Sequence, residues 1–122
     1  MVENILIVED EFIIAFDTKL MLESMDYNVV NIVSSGIDAL KTVNTNKIDL
    51  ILMDMILEGE MSGIDTAMEI RDKNFDIPII YSTSYPQELT NDKIKETEPY
   101  DYLLKPFDHI KLQNAINNSL NH

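Results

Sequence analysis

The stretch that decides how this chain is read is "ILIVEDEF", residues 5–12. Four apolar residues, Ile5 to Val8, run directly into three acids, Glu9, Asp10 and Glu11. A solid apolar run of this length suits a strand covered on both faces, as in a parallel sheet. Three adjacent carboxylates at its end repel one another. They form either a solvated turn or a place meant for a cation.

The same kind of run recurs at "VVNIV" (29–33), "LILM" (50–53), "IPIIYS" (77–82) and "YDYLL" (100–104). Between the runs lie segments with helical spacing. Over 11–25, Ile13, Phe16 and Leu20 fall at i, i+3 and i+7, and over 36–46 Ile37, Leu40 and Val43 do much the same. In 64–73, Ile64, Ala67, Met68 and Arg71 suit a helix with one apolar face. A helix over 86–97 opens with Pro86 and stops before Pro99. The last, 108–120, has Asp108 as its N-cap and Ile110, Leu112, Ala115, Ile116 and Leu120 inside it. Five strand-then-helix repeats without a linker predict one α/β domain over 1–122: an open five-stranded parallel sheet, helices on both faces, crossovers right-handed. Ligands of such sheets bind at the carboxyl ends of the strands.

Composition narrows the function. Nine basic and 22 acidic residues give a formal charge of −13, so nucleic-acid phosphates would be repelled and direct DNA or RNA binding is not expected. There is no cysteine, hence no disulfide or thiolate metal site. The first residues carry no basic cluster and no unbroken apolar run exceeds five residues, so neither a signal peptide nor membrane insertion is expected, and a cytoplasmic location is.

The strand ends carry the chemistry. They present Glu9 and Asp10 after the first run, Asp54 after the third, Ser82 to Ser84 after the fourth and Lys105 after the fifth. Singly, each is an N-cap, a turn residue or an uninformative lysine. Together, carboxylates from adjoining strand ends need a cation, and hard oxygen donors without His or Cys favour Mg2+. With a lysine and a hydroxyl at the same rim, the set describes phosphoryl transfer.

These residues, in "ILIVEDE", "DLILMDMIL", "SGIDTAMEIR", "IPIIYSTSY" and "YDYLLKPFD", resemble the receiver domain of two-component response regulators, from Asn4 to about Leu120. The resemblance implies a flavodoxin-like (βα)5 fold of strand order 2-1-3-4-5. It implies Asp54 as phosphoacceptor, Mg2+ held by Asp10, Asp54 and the backbone carbonyl of Ile56, and Glu9 acting through a water. Thr83 and Lys105 would contact phosphoryl oxygens, Thr83 and Tyr102 would form the switch, and the bond before Pro106 would be cis. The implied partners are a sensor histidine kinase or phosphotransfer protein and an unknown downstream protein or attached output domain. The only catalysis implied is the domain's own aspartyl phosphorylation and dephosphorylation.

Several positions depart from the family's common pattern. Glu9 stands where Asp is commoner, and the loop "MILEGEMSG" is longer by about one residue and lacks a proline. Glu58 and Glu60 in that loop are expected to face solvent. Asp26 stands where Gly often ends the first helix, and Ser84 replaces a smaller residue. His109 is read as a surface residue, the seven methionines as core filler, and Tyr81, Tyr85 and Tyr100 receive no chemical role. The last helix carries Lys111 as its one lysine and no arginine, so an ion-pair dimer through that face is not expected. Three other readings fit less well. A phosphorylation-independent interaction module would not need Asp54, Asp10 and Lys105. A flavin domain would need a small-residue phosphate loop where "EDEF" stands. An aspartate-nucleophile phosphatase would carry its nucleophile after the first strand.

Overall fold

The computed structural model describes residues 2–57, 59–90 and 92–120; Glu58 lies outside them. Five strands pair in parallel: β1 (Asn4–Val8), β2 (Asn28–Val33), β3 (Leu50–Asp54), β4 (Ile79–Thr83) and β5 (Asp101–Leu104). Their order is β2-β1-β3-β4-β5. The helices are α1 (Phe12–Ser24), α2 (Gly36–Thr45), α3 (Gly63–Asp72), α4 (Lys93–Glu96) and α5 (His109–Leu120). Each expected strand is present, its ends shifted by two residues at most.

The solid apolar runs arise because both faces of the sheet are covered. Ile5, Ile7, Leu50, Leu52, Ile80 and Leu103 pack with Ala15 and Leu22 of α1 and with Leu112, Ala115 and Ile116 of α5. The alternate residues Leu6, Val8, Ile51, Met53, Ile79 and Tyr81 pack with Ala39 and Val43 of α2 and Ile64, Ala67 and Ile70 of α3. Strand order reverses between β1 and β3, so the chain leaves these two strands toward opposite faces and a crevice opens at their carboxyl ends. That crevice is where Glu9, Asp10 and Asp54 emerge.

Two expectations are corrected. In α1 the Ile13, Phe16 and Leu20 stripe faces outward, at 84%, 43% and 51% exposure, and the sheet is met by Ala15, Thr18 and Leu22. The helix carries two stripes of the same spacing. The one with small residues wins because Ala15 and Thr18 let the helix approach the strands, and Thr18 satisfies its hydroxyl on the Ile14 carbonyl at 2.9 Å. The single helix expected over 86–97 is instead a 3-10 turn, Pro86–Thr90, and the four-residue α4. Thr90 and Asp92 are weak helix formers, and the Thr90 hydroxyl donates back to the Gln87 carbonyl at 2.7 Å, closing the first turn.

Two further local expectations hold. Asp108 caps α5, its Oδ1 accepting from Lys111 N at 2.8 Å. Asp26 ends α1 in the left-handed region, φ 67°, while Tyr27 N reaches back to the Leu22 carbonyl at 3.1 Å. A Cβ in that region is sterically unfavourable. Asp26→Gly is therefore expected to raise the unfolding free energy by about 0.5–1 kcal/mol and Asp26→Val to lower it. Urea denaturation of the three proteins checks this.

Candidate functional site

The site is assembled from the ends of four strands. Beyond β1, Glu9 is still tied to the sheet, its N–H donating to the Val33 carbonyl at 2.9 Å, and its side chain is buried. Asp54 closes β3 opposite Ser82 of β4, and Met55 N donates to the Ser82 carbonyl at 3.0 Å. The Asp54 carboxylate accepts from Ile56 N at 3.1 Å through Oδ1. Thr83 ends β4, its Oγ1 accepting from Tyr85 N at 3.0 Å. Lys105 follows β5 and is bound to the end of β4 by an N–H donated to the Thr83 carbonyl at 2.8 Å; the Lys105–Pro106 peptide is cis.

One side chain would ruin this assembly. A Cβ on Gly63 would lie 1.9 Å from the Asp54 carbonyl oxygen, so only glycine allows α3 to start against the end of β3. The start is fixed by a capping box, Ser62 Oγ accepting from Asp65 N at 3.0 Å and Asp65 Oδ2 from Ser62 N at 3.2 Å.

Carboxylate oxygens of Glu9, Asp10 and Asp54 all lie within 4.8 Å of one another. Lys105 Nζ sits between two of these acids, 2.5 Å from Glu9 Oε1 and 3.2 Å from Asp54 Oδ2. One ammonium cannot neutralise three carboxylates. Burial, and then a hydrogen bond shared with Asp54, push Glu9 up to about 7 despite the opposing pull of Lys105. Burial works against the Lys105 charge as well, but the Glu9 hydrogen bond and the Asp54 charge outweigh it and hold its pKa above the usual lysine value. Hard oxygen donors at this spacing, short of positive charge and free of His and Cys, fit a divalent cation. Beside them opens a cleft of about 400 Å³, walled by Asp54, Ile56, Thr83, Tyr85 and Lys105.

The sequence profile of the response regulator receiver domain matches residues 5–117. The chain belongs to the response regulator receiver family. Its sequence is 33% identical over 122 residues to the phyllosphere-induced regulator PhyR of Methylorubrum extorquens, covering 98% of this chain and 44% of that protein. The receiver thus spans only part of the curated relatives it matches, between about a quarter and a half of their length. In structure it resembles the receiver domain of a sensor histidine kinase from Pseudomonas aeruginosa with a magnesium ion coordinated in its active site cleft (30% identity, TM-score 0.86, 100% of both chains). It also resembles the signal receiver domain of a modulated diguanylate cyclase from Desulfovibrio desulfuricans (29% identity, TM-score 0.90, 99% of this chain and 95% of that one).

Of the residues expected in the receiver site, Glu9, Asp10, Asp54, Ile56, Thr83 and Lys105 gather at one crevice. Tyr102 stands apart on β5, 39% exposed, its ring stacked on Tyr81 with centroids 6.4 Å apart. Gly63 and Tyr81 escaped the sequence reading. The Ser-x-x-Asp pattern at 62–65 could have marked the helix start and its glycine. No local signal marks Tyr81, whose partners come from other elements.

Without divalent cations, folded receiver keeps a proton on Glu9 up to about pH 7, while the unfolded chain releases it near 4.5. Between these values the native state binds more protons, so this contribution to stability falls as pH rises from about 4.5 to about 7 and is level above. Denaturation in chelator across that range should show the decline, and Glu9→Gln should flatten it.

Proposed function

We propose that this receiver accepts a phosphoryl group on Asp54 from the phosphohistidine of a sensor histidine kinase or phosphotransfer protein. The observation that carries this reading is the buried Asp54 carboxylate held 3.2 Å from Lys105 Nζ and within 4.8 Å of two further acids, on the wall of an open cleft. An Asp54 carboxylate oxygen bonds to phosphorus as the bond from phosphorus to the donor imidazole nitrogen breaks, that nitrogen keeping the electron pair. Asp10, Asp54 and the Ile56 carbonyl would hold Mg2+, with Glu9 through a water, and the bound ion supplies charge that offsets the phosphoryl oxygens. Lys105 shifts from neutralising carboxylates to neutralising the acyl phosphate. The only catalysis in this reading is the domain's own phosphorylation and dephosphorylation, within one cytoplasmic receiver unit over 1–122.

Two surfaces and the chain's charge support the partner assignments. Phe12 and Phe16 stack ring on ring, centroids 5.9 Å apart, on the outward face of α1 beside Ile13. Ile13, with Met21, Pro106 and Phe107, also lines an apolar groove that reaches Lys105. An apolar helix of the phosphodonor would fit there and bring its histidine to Asp54. On the far side, exposed Tyr102 and Leu104 of β5 lie beside Lys111 and Asn118 of α5. That face lacks the arginines of an ion-pair dimer and suits a downstream protein or attached output domain. Finally, the charge of −13 argues against direct nucleic-acid contact, and no helix among the described residues is long and apolar enough to cross a membrane.

Incubation with acetyl phosphate and Mg2+ should add one phosphoryl mass at Asp54. Asp54→Asn should remain unlabelled there, and Asp10→Ala should lose most of the labelling; label persisting in Asp54→Asn would sink the assignment.

The lifetime of the product follows from the cleft wall. Ile56 and Tyr85 flank Asp54, 45% and 52% exposed, and neither carries a carboxamide to orient an attacking water. Ile56→Asn or Tyr85→Ala should speed hydrolysis on the order of tenfold, a barrier change of about 1.4 kcal/mol. Decay of the phosphorylated mass with time measures it.

A further inference from the structure

Tyr81 lies in the middle of β4 and, among the described residues, is the bulkiest side chain to be wholly buried. An isoleucine there would leave no polar atom to satisfy, so the phenol needs a reason. Its hydroxyl donates to Thr97 Oγ1 at 2.7 Å, and Thr97 Oγ1 donates onward to the Ile94 carbonyl at 2.6 Å. Thr97, itself wholly buried, is the C-cap of α4. Its carbonyl accepts from Arg71 Nε at 2.7 Å, while Arg71 Nη1 donates to the Phe75 carbonyl at 2.7 Å. A continuous polar chain therefore crosses the core from β4 to the end of α4 and on to the end of α3.

A helix of four residues has no stability of its own, and Ile94 is the buried residue within α4. The Tyr81–Thr97 bond is thus a main determinant of where α4 sits. On its other side, Tyr81 stacks on Tyr102, which the receiver resemblance makes one half of a switch with Thr83. The Tyr81 and Tyr102 planes lie within 19° of each other, and the two residues are register partners across β4 and β5. Thr83 follows two residues later on the same face of the same strand.

We infer that Tyr81 is a positioning residue that couples the Thr83–Tyr102 switch to α4, its ring following Tyr102 and its hydroxyl holding Thr97. The trigger, though not the coupling, rests on the phosphorylation reading above. A Tyr102 ring that turns inward displaces the ring stacked on it. The Tyr81 hydroxyl is buried, so it either carries Thr97 along or leaves a polar group without a partner. Both outcomes alter α4, one by shifting it and one by loosening its last turn. The same Thr97 carbonyl passes the change to Arg71.

Hydrogen exchange of the amides in 93–97, followed by mass spectrometry on the full chain with and without acetyl phosphate and Mg2+, tests this. In Tyr81→Phe, exchange of this segment should rise about fivefold without phosphodonor, the factor expected for one lost hydrogen bond, and in Thr97→Val, which also loses the bond to the Ile94 carbonyl, by at least as much. The difference made by phosphorylation should vanish in both variants, while the phosphoryl mass at Asp54 is still gained. Thr97→Ser keeps the hydroxyl and should restore wild-type behaviour, and the double variant should be no worse than Thr97→Val alone. A Tyr81→Phe protein that keeps the full phosphorylation-dependent difference, or a double variant whose effects simply add, would overturn the inference. Should Tyr81→Phe fail to fold, the contrast between Thr97→Val and Thr97→Ser decides the matter. A second arm needs no phosphate: Tyr102→Ala should change exchange in 93–97 in the wild-type background and not in Tyr81→Phe. Absence of any phosphoryl mass gain would defeat the phosphorylation reading, and this arm would still decide the coupling.

Discussion

Three carboxylates cannot share a crevice in water-poor surroundings without a counter-charge, and the rest of this receiver is arranged around that constraint. Glu9 and Asp10 leave β1 on one side of the point where strand order reverses, and Asp54 leaves β3 on the other. Lys105 arrives from 96 positions away in the chain to stand against Glu9. Its single charge faces three carboxylates, and burial, then the hydrogen bond shared with Asp54, drives the Glu9 carboxyl to about 7 despite it. A cluster short of positive charge is poised for a divalent cation. Once so balanced, it can tolerate the further negative charge of a phosphoryl group.

The scaffold keeps this unfavourable arrangement in place by stiffness on one side and allows response on the other. Strands β1 and β3 are central, covered on both faces, and gain their register from apolar side chains on each. Gly63 and the Ser62–Asp65 box lock α3 directly onto the Asp54 end of β3. By contrast, the segment after β4 is a 3-10 turn and one helical turn, secured by few apolar anchors and by buried hydrogen bonds. Hydrogen bonds are more discrete than apolar packing: they are made or broken. The proposed switch would act on a region held in this way.

Part of this was legible in the residues taken in order. The runs at 5–8 and 50–53 each lacked polar alternation because both faces of their strands are covered, and that alone indicates a parallel sheet with helices on each side. The strand-end residues followed from the same reading, since side chains just past a parallel strand project toward the crevice. The α1 face was not legible. Ile13, Phe16, Leu20 and Ala15, Thr18, Leu22 share one spacing, and periodicity ranks the bulkier set higher. Likewise, Pro86 marked where a helix could begin, but the sequence pattern gave too little weight to the hydroxyl of Thr90, which bonds within its own turn.

The sequence by itself determined the layering, the positions at which carboxylates, hydroxyl and lysine leave the strands, and the charge imbalance among them. Those follow from solid apolar runs alternating with segments of period 3.6 and from counting charges, which need no partner element. Only the tertiary structure decided which stripe of α1 meets the sheet, that Lys105 lies against Glu9 as well as Asp54, and that Tyr81 joins Tyr102 to Thr97. Each of these depends on the size and direction of side chains from elements distant in sequence. Close packing selects among such side chains, and no pattern within a single element records the choice.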